Sequence, residues 1–214
     1  MFTDLELNDY RETINNMDST RYYTNHGPAA KKFESDLANF FGYHECVAVS
    51  NLSTAVAMVI AGIDEISTID IQGPASKEVM SGLSLTGTSY SFSHLTKLDN
   101  KENYTDVLLN IRVLKQSPIH VFIPDSPFTK PLEANNLLRG YAISIIAHEN
   151  SNQLDTETGA SIFSNDSEFL EKMRNIRSSY GANKTITVTA TSNGRFSEAQ
   201  ALLGITRLKK LNPI

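Results

Sequence analysis

The sequence predicts an α/β fold: a mainly parallel sheet sandwiched by helices, formed as one domain over residues 1–214. Three observations carry that expectation. Short apolar runs alternate with helical patterns from Cys46 to Ala147, the order that builds parallel sheets with crossover helices on both faces. A chain of 214 residues is long enough to bury one good core. A hydrophobic content of 40% with 20% charged residues is that of an ordinary globular protein.

The elements follow in order. Tyr10, Ile14 and Met17 recur at helical spacing, so Asp9 to Met17 reads as a short helix. Arg21-Tyr22-Tyr23 leads extended into a Gly27-Pro28 turn. The next helix places Phe33, Leu37, Phe40 and Phe41 on one face. Cys46 to Ser50 is a buried strand, and a polar turn from Asn51 to Thr54 opens an apolar helix running to Ile63. Ile66 to Ile71 is a β-branched strand. Gly73-Pro74 marks a turn before a helix over Ala75 to Leu83, and Thr86 to Phe92 alternates as a strand. Asp99 to Asn103 is a polar loop. Tyr104 to Leu114 reads as a helix with Val107, Leu108, Ile111 and Leu114 on one side. Pro118 to Ile123 is a strand closed by Asp125-Ser126-Pro127; Leu132 to Leu138 reads as a helix and Tyr141 to Ala147 as a strand. A polar loop over Asn150 to Thr158 precedes a short strand from Ala160 to Phe163. Asp166, or Asn165, caps a helix to about Ser178 with Phe169, Leu170, Met173 and Ile176 inward. Thr185 to Thr191 reads as extended, and Phe196 to Leu211 as an amphipathic helix.

Composition narrows the partners. The net charge of −5 argues against nucleic acid and anionic membrane surfaces. No apolar run reaches the roughly 20 residues of a membrane span. The acidic start, Met1 to Glu6, has no basic, apolar leader pattern, so a cytoplasmic location is expected. The single cysteine, Cys46, excludes an intrachain disulfide, fits a reducing compartment and reads as a small core residue. No Cys/His cluster has structural zinc spacing.

The strand, polar turn and helix from Cys46 to Ile63 carry chemistry. The first N–H groups of a helix have no partner within it, and the helix dipole adds partial positive charge there. The hydroxyls of Ser53 and Thr54 add donors, so the turn reads as a phosphate seat. The other reading is a plain cap, with Asn51 or Ser53 closing the helix end.

Three stretches here, Asn25-His26-Gly27-Pro28, Phe33-Glu34 with Leu37-Ala38 and Phe41-Gly42, and Val49 to Ala55, resemble the opening of the DegT/DnrJ/StrS sugar aminotransferases. These are fold type I enzymes that use pyridoxal phosphate (PLP). The resemblance implies that the turn holds the cofactor phosphate, although Leu52 stands where the family has glycine. Glu157 to Asp166, then Leu170, Met173-Arg174 and Ile176-Arg177, resemble the family's glutamate-glycine-glycine-alanine strand and its continuation. Asn193 to Gly204, with Leu208, is similar to the family's asparagine-x-arginine-methionine-serine-glutamate segment. In the family that segment comes from the neighbouring subunit of a dimer, and its asparagine helps hold the phosphate. The resemblance therefore implies Asn193 as a phosphate contact and Arg195 as an anion contact. A surface charge at a helix start is the other reading of Arg195.

The resemblance also marks what differs. A PLP aminotransferase needs a lysine whose amine bonds to the cofactor and shuttles the proton. In the family it lies six residues before the glutamate, a position held here by Ser151. His148 matches a histidine of many members, while Ile146 replaces a serine that assists phosphate binding. The aspartate that keeps the pyridine nitrogen protonated has no counterpart between Val121 and Tyr141, since Asp125 reads as a turn cap. The middle of the chain reads as shortened by a strand–helix unit. Ser91 to Lys97 resembles the lysine segment with one extra residue, but lies far upstream of Glu157, so Lys97 reads as an exposed lysine. The family's small C-terminal domain is expected to be missing after Ile214.

Together these features imply a degenerate aminotransferase-like protein without transaminase activity, in a pathway to nucleotide-linked amino or deoxy sugars for surface polysaccharide or natural products. Ser53, Thr54, His148, Ser151, Asn193 and Arg195 are its candidate cofactor-binding residues, with PLP not held covalently. The expected assembly is a homodimer, or a heterodimer with a full-length paralogue. Two further readings stay open. One is an enzyme of altered chemistry, either with residual aminotransferase activity or resembling the PLP-dependent sugar dehydratases that use histidine in place of the lysine, with His148, offset by three residues, as the nearby base; the other reading of His148 is a packed core or turn histidine. The other is a sugar-nucleotide binding module that uses the Asn51–Thr54 turn.

Overall fold

Residues 4–21, 27–93, 106–124, 140–148, 154–178, 187–188 and 192–211 are described by a computed structural model of the chain. Helices are α1 (Asp4–Thr20), α2 (Pro28–Phe41), α3 (Leu52–Gly62), α4 (Lys77–Thr86), α5 (Ser167–Arg177) and α6 (Glu198–Leu211). Strands are β1 (Cys46–Val49), β2 (Ile66–Gln72), β3 (Tyr90–Ser93), β4 (Val107–Val113), β5 (Ile119–Ile123), β6 (Ile143–Ala147) and β7 (Ala160–Ser164).

The strands form one seven-stranded sheet in the order β1-β7-β6-β5-β4-β2-β3. Strands β1, β2, β3, β5 and β6 run one way, and β4 and β7 run against them. The expected common strand direction therefore holds for most of the sheet. Because each reversed strand lies between two others, only β2–β3 and β5–β6 pair in parallel among the described residues.

Strand alternation divides the core in two. Val47, Val49, Ile69, Ile71, Leu109, Ile111 and Ile162 face α3, α4 and α5 through Val56, Val59, Leu83, Leu170 and Met173. Cys46, Ala48, Phe122, Ile146 and Phe163 face the other way, onto α2 and α6 through Phe33, Leu37, Phe41, Ala201 and Ile205. Gly204 sits inside α6 despite the helix penalty of about 1 kcal/mol for glycine. A Cβ there would lie 2.4 Å from Cε2 of Phe33, so its absence lets α6 close onto α2.

The expected helix over Tyr104 to Leu114 is instead strand β4. Val107, Leu109, Ile111 and Val113 are buried while Leu108, Asn110 and Arg112 are not, a period of two. The same apolar run also satisfies helical spacing, and the slot between β2 and β5 decides the outcome. Helix α1 is longer than the expected Asp9 to Met17. Helix α4 runs on to Thr86, where Gly87 ends it in the left-handed region (φ 66), and this delays β3 to Tyr90. The expected loop over Asp99 to Asn103 and helix over Leu132 to Leu138 lie outside the described residues, as do Lys97 and Asp125.

Candidate functional site at the carboxyl end of strand β1

Strands β1 and β6 end, and β7 begins, at one end of the sheet. Ala160 pairs with Val49 on one side and with Ala147 on the other, so the turn after β1 and the exit of β6 flank the start of β7. At the β1 exit, Asn51 caps α3: its side-chain carbonyl accepts from the Thr54 N–H at 2.8 Å. The capping reading is therefore right for Asn51, and one first-turn donor is taken. Leu52 turns into the core, 7% exposed, and so its side chain is largely withdrawn from solvent. Ser53 and Thr54 are half-buried on the first turn of α3.

The segment carrying Asn193 and Arg195 lies against this turn. Ser50 N–H donates to the Gly194 carbonyl at 3.0 Å, and Val49 and Arg195 form an isolated antiparallel bridge. A Cβ on Gly194 would come 2.8 Å from Cγ2 of Thr54, so this backbone approaches the turn as only glycine allows. Asn193 is exposed. Arg195 donates from Nε to Ser178 Oγ at 3.4 Å. From the loop just before β7, Thr158 Oγ1 donates to the Ser50 carbonyl at 2.9 Å, and Gln200 Nε2 donates to the Thr158 carbonyl at 2.9 Å. Ser53, Thr54, Asn193 and Arg195 are thus brought to one end of the sheet.

His148 is not brought into that group. Its ring is fully buried, edge-on to Phe33 at 5.4 Å and to Phe196 at 6.0 Å. Burial lowers its pKa to about 3, so the imidazole is neutral at ordinary pH. The ring is thus enclosed by Phe33 and Phe196 instead of facing solvent. Ser151 lies outside the described residues.

Three features of the site were not assigned roles from sequence. The Glu198 carboxylate, 1% exposed, accepts from the Ala29 and Ala30 N–H groups at 2.7 and 2.9 Å and closes the start of α2. Its readable signal is the capping box of Ser197 and Gln200, whose side chains and N–H groups bond reciprocally. Glu34 Oε1 accepts from the Ala48 N–H at 2.9 Å and from Arg177 at 2.6 Å, while Arg177 also donates to the Ala48 carbonyl. Thr158 had no sequence signal beyond its place in the polar loop.

Residues 5–72 match the model of the DegT/DnrJ/EryC1/StrS aminotransferase family. The resemblance read from the sequence is thereby shown, and the matched stretch includes the Asn51–Thr54 turn. The fold agrees along nearly the whole chain. The structure of DesI with its TDP-sugar product superimposes with a TM-score of 0.70 at 14% identity, over 96% of this chain and 59% of that one. Helicobacter pylori PseC, an aminotransferase of pseudoaminic acid biosynthesis, gives 0.67 at 17% identity over 99% of this chain and 64% of its own. GDP-4-keto-6-deoxymannose-3-dehydratase with a trapped PLP-glutamate geminal diamine gives 0.67 at 17% identity, over 99% and 67%. The chain thus spans 59% and 64% of the first two. A search of curated protein sequences found no significant match. The fold is that of PLP-dependent sugar aminotransferases and dehydratases.

The donor set fits one end of that cofactor. Two hydroxyl side chains, Ser53 and Thr54, on the first turn of helix α3 suit a phosphate monoester. Among the described residues, no group of acidic, histidine and cysteine side chains forms a metal site, and no helix is long and apolar enough to cross a membrane.

Proposed function

We propose that the chain is a degenerate relative of the PLP-dependent sugar aminotransferases, one that keeps a phosphate seat and lacks transaminase activity. PLP supplies an electron sink when an enzyme holds it through a lysine amine. The observation that carries this reading is Ser151, whose hydroxyl cannot form that link. Ser53 and Thr54 would bind the phosphate through hydroxyls and the helix end, with Asn193 beside them. His148, sealed behind Phe33 and Phe196, does not support a dehydratase-like proton transfer. The protein then serves nucleotide-sugar or surface polysaccharide biosynthesis as a dimer or as a partner subunit. Leu7 and Ile14, 38% and 44% exposed and seven residues apart on α1, give apolar surface to such pairing.

The test is borohydride reduction of the protein mixed with PLP, followed by mass spectrometry. The expected outcome is no pyridoxyl adduct on any lysine and no amino transfer to a keto sugar. A trapped adduct together with amino transfer would overturn the proposal. Tight binding of a sugar nucleotide without PLP would favour a binding module instead.

A further inference from the structure

We infer that the free edge of the sheet at β3 is a pairing surface for a second copy of this chain, joined strand to strand in antiparallel register about Ser91. The inference is independent of the phosphate seat and of the exposed apolar residues of α1.

The two edges of the sheet are finished differently. Along β1, Glu34, Arg177 and Gly194 occupy outward backbone groups. On β3, Ile69 N–H donates to the Ser89 carbonyl, so Ser89, Ser91 and Ser93 turn their backbone toward β2 while Tyr90 and Phe92 turn theirs outward. Those two N–H groups and two carbonyls have no partner among the described residues. Edge strands are usually guarded by charge, proline or a bulge. The run from Gly87 to Ser93 holds no charged residue and no proline. Its side chains add an apolar strip. Tyr90 and Phe92 pair in register with Ile69 and Ile71, so they carry that buried stripe past the edge, 39% and 62% exposed. Their rings meet edge to face at 6.0 Å. Ser91 and Ser93 point to the other side, where their hydroxyls reach Asp70.

A second copy is the occupant that this strand fits. It brings the same net charge of −5, so two copies approach most readily where neither is charged. With Ser91 opposite Ser91, Tyr90 of each chain lies opposite Phe92 of the other. Both are then hydrogen-bonded pairs, which use all four outward backbone groups of each strand. The two aromatic pairs fall on one face of a continuous sheet. Ser91 forms the closer, non-hydrogen-bonded pair, with Cα atoms about 4.5 Å apart. A contact of this length is at the small end of specific interfaces, below roughly 1,200 Å², so pairing depends on concentration.

Sedimentation and disulfide trapping test this together. The sedimentation coefficient of the wild-type protein is expected to rise with concentration. Phe92→Lys, which sets a charge on the edge at a largely exposed position, is expected to weaken association about tenfold or more. Cys46 is buried and is the one native cysteine, so an introduced thiol is the accessible one. Under oxidised glutathione, Ser91→Cys is expected to form a disulfide dimer at least about tenfold faster than Ser93→Cys, since the Cα spacing at 91 suits a disulfide and that at 93 is about 14 Å in this register. Equal linking of the two cysteine variants would overturn the inference, because collisions or another register would then account for it. Association unchanged by Phe92→Lys would overturn it by moving the contact to another surface. A constant sedimentation coefficient with Ser91→Cys unlinked would also overturn it, and leave the edge to a strand of a different protein. None of these readouts involves PLP, so each outcome leaves the phosphate seat to its own test. Circular dichroism of each variant checks the fold.

Discussion

His148 is a neutral imidazole held between two phenylalanine rings, with neither ring nitrogen bonded among the described residues. Unpartnered buried polar atoms destabilise a fold by about 1–3 kcal/mol. His148→Leu, which keeps the apolar bulk, should raise stability by about 1 kcal/mol at pH 7. The pH dependence has a definite sign. Burial sets the folded value at about 3, below the ordinary 6.5, so the unfolded chain takes up the proton first. Stability is therefore complete above about pH 6.5 and falls as pH drops toward about 3. Between pH 7 and 5 the loss from this residue is ~2 kcal/mol, and His148→Leu should remove it. Urea titrations of both proteins at the two pH values measure the difference; parallel losses would refute the assignment. Side-chain direction was legible here. His148 follows Ile146 by two residues, and Ile146 faces α2, so strand alternation alone points the ring toward Phe33.

Helix α6 ties the two ends of the chain together. Glu198 sits at its first position and places a carboxylate on the N-terminus of α2, where Pro28 has no N–H and Ala29 and Ala30 donate. Glu198→Ala should cost about 3 kcal/mol, since two buried donors lose a charged acceptor. Glu198→Gln keeps one acceptor oxygen and should cost less. Thermal melts of the pair would show the order, and equal melting temperatures for all three proteins would rule out the cap. Elements with a strong local signal were readable: the Asn51 cap, the Asp166 cap accepting from Glu168 and Phe169, and the apolar face of α2. Strand β4 was not, because Val107 to Leu114 fits both periods and only its neighbours in the sheet distinguish them. The link from Glu198 to α2 spans residues with no local pattern in common, so no window of sequence contains it.

At the scale of the whole molecule, the sheet has two unlike edges. Along β1 the outward backbone groups of Ala48 are taken by Glu34 and Arg177, and that of Ser50 by Gly194. Side chains thus occupy positions that another strand would fill, one of the ways sheets avoid edge-to-edge pairing. Arg177→Met leaves the Glu34 carboxylate and the Ala48 carbonyl without that partner, both largely shielded from water. The expected loss is about 3–5 kcal/mol, with concentration-dependent association in light scattering. A monodisperse, fully stable variant would show that the ion pair does not close the edge. The strand–helix alternation disclosed the class of fold, but it did not reveal that β1 closes the sheet only through β7. That pairing has a consequence for synthesis. Cys46 meets Phe163, and Ala29 meets a carboxylate 169 residues later. At roughly 5–20 residues per second, the nascent β1 and α2 wait on the order of ten seconds or more outside the ribosome before their partners emerge. The first part of this polypeptide is therefore the part most in need of a chaperone while it is being made.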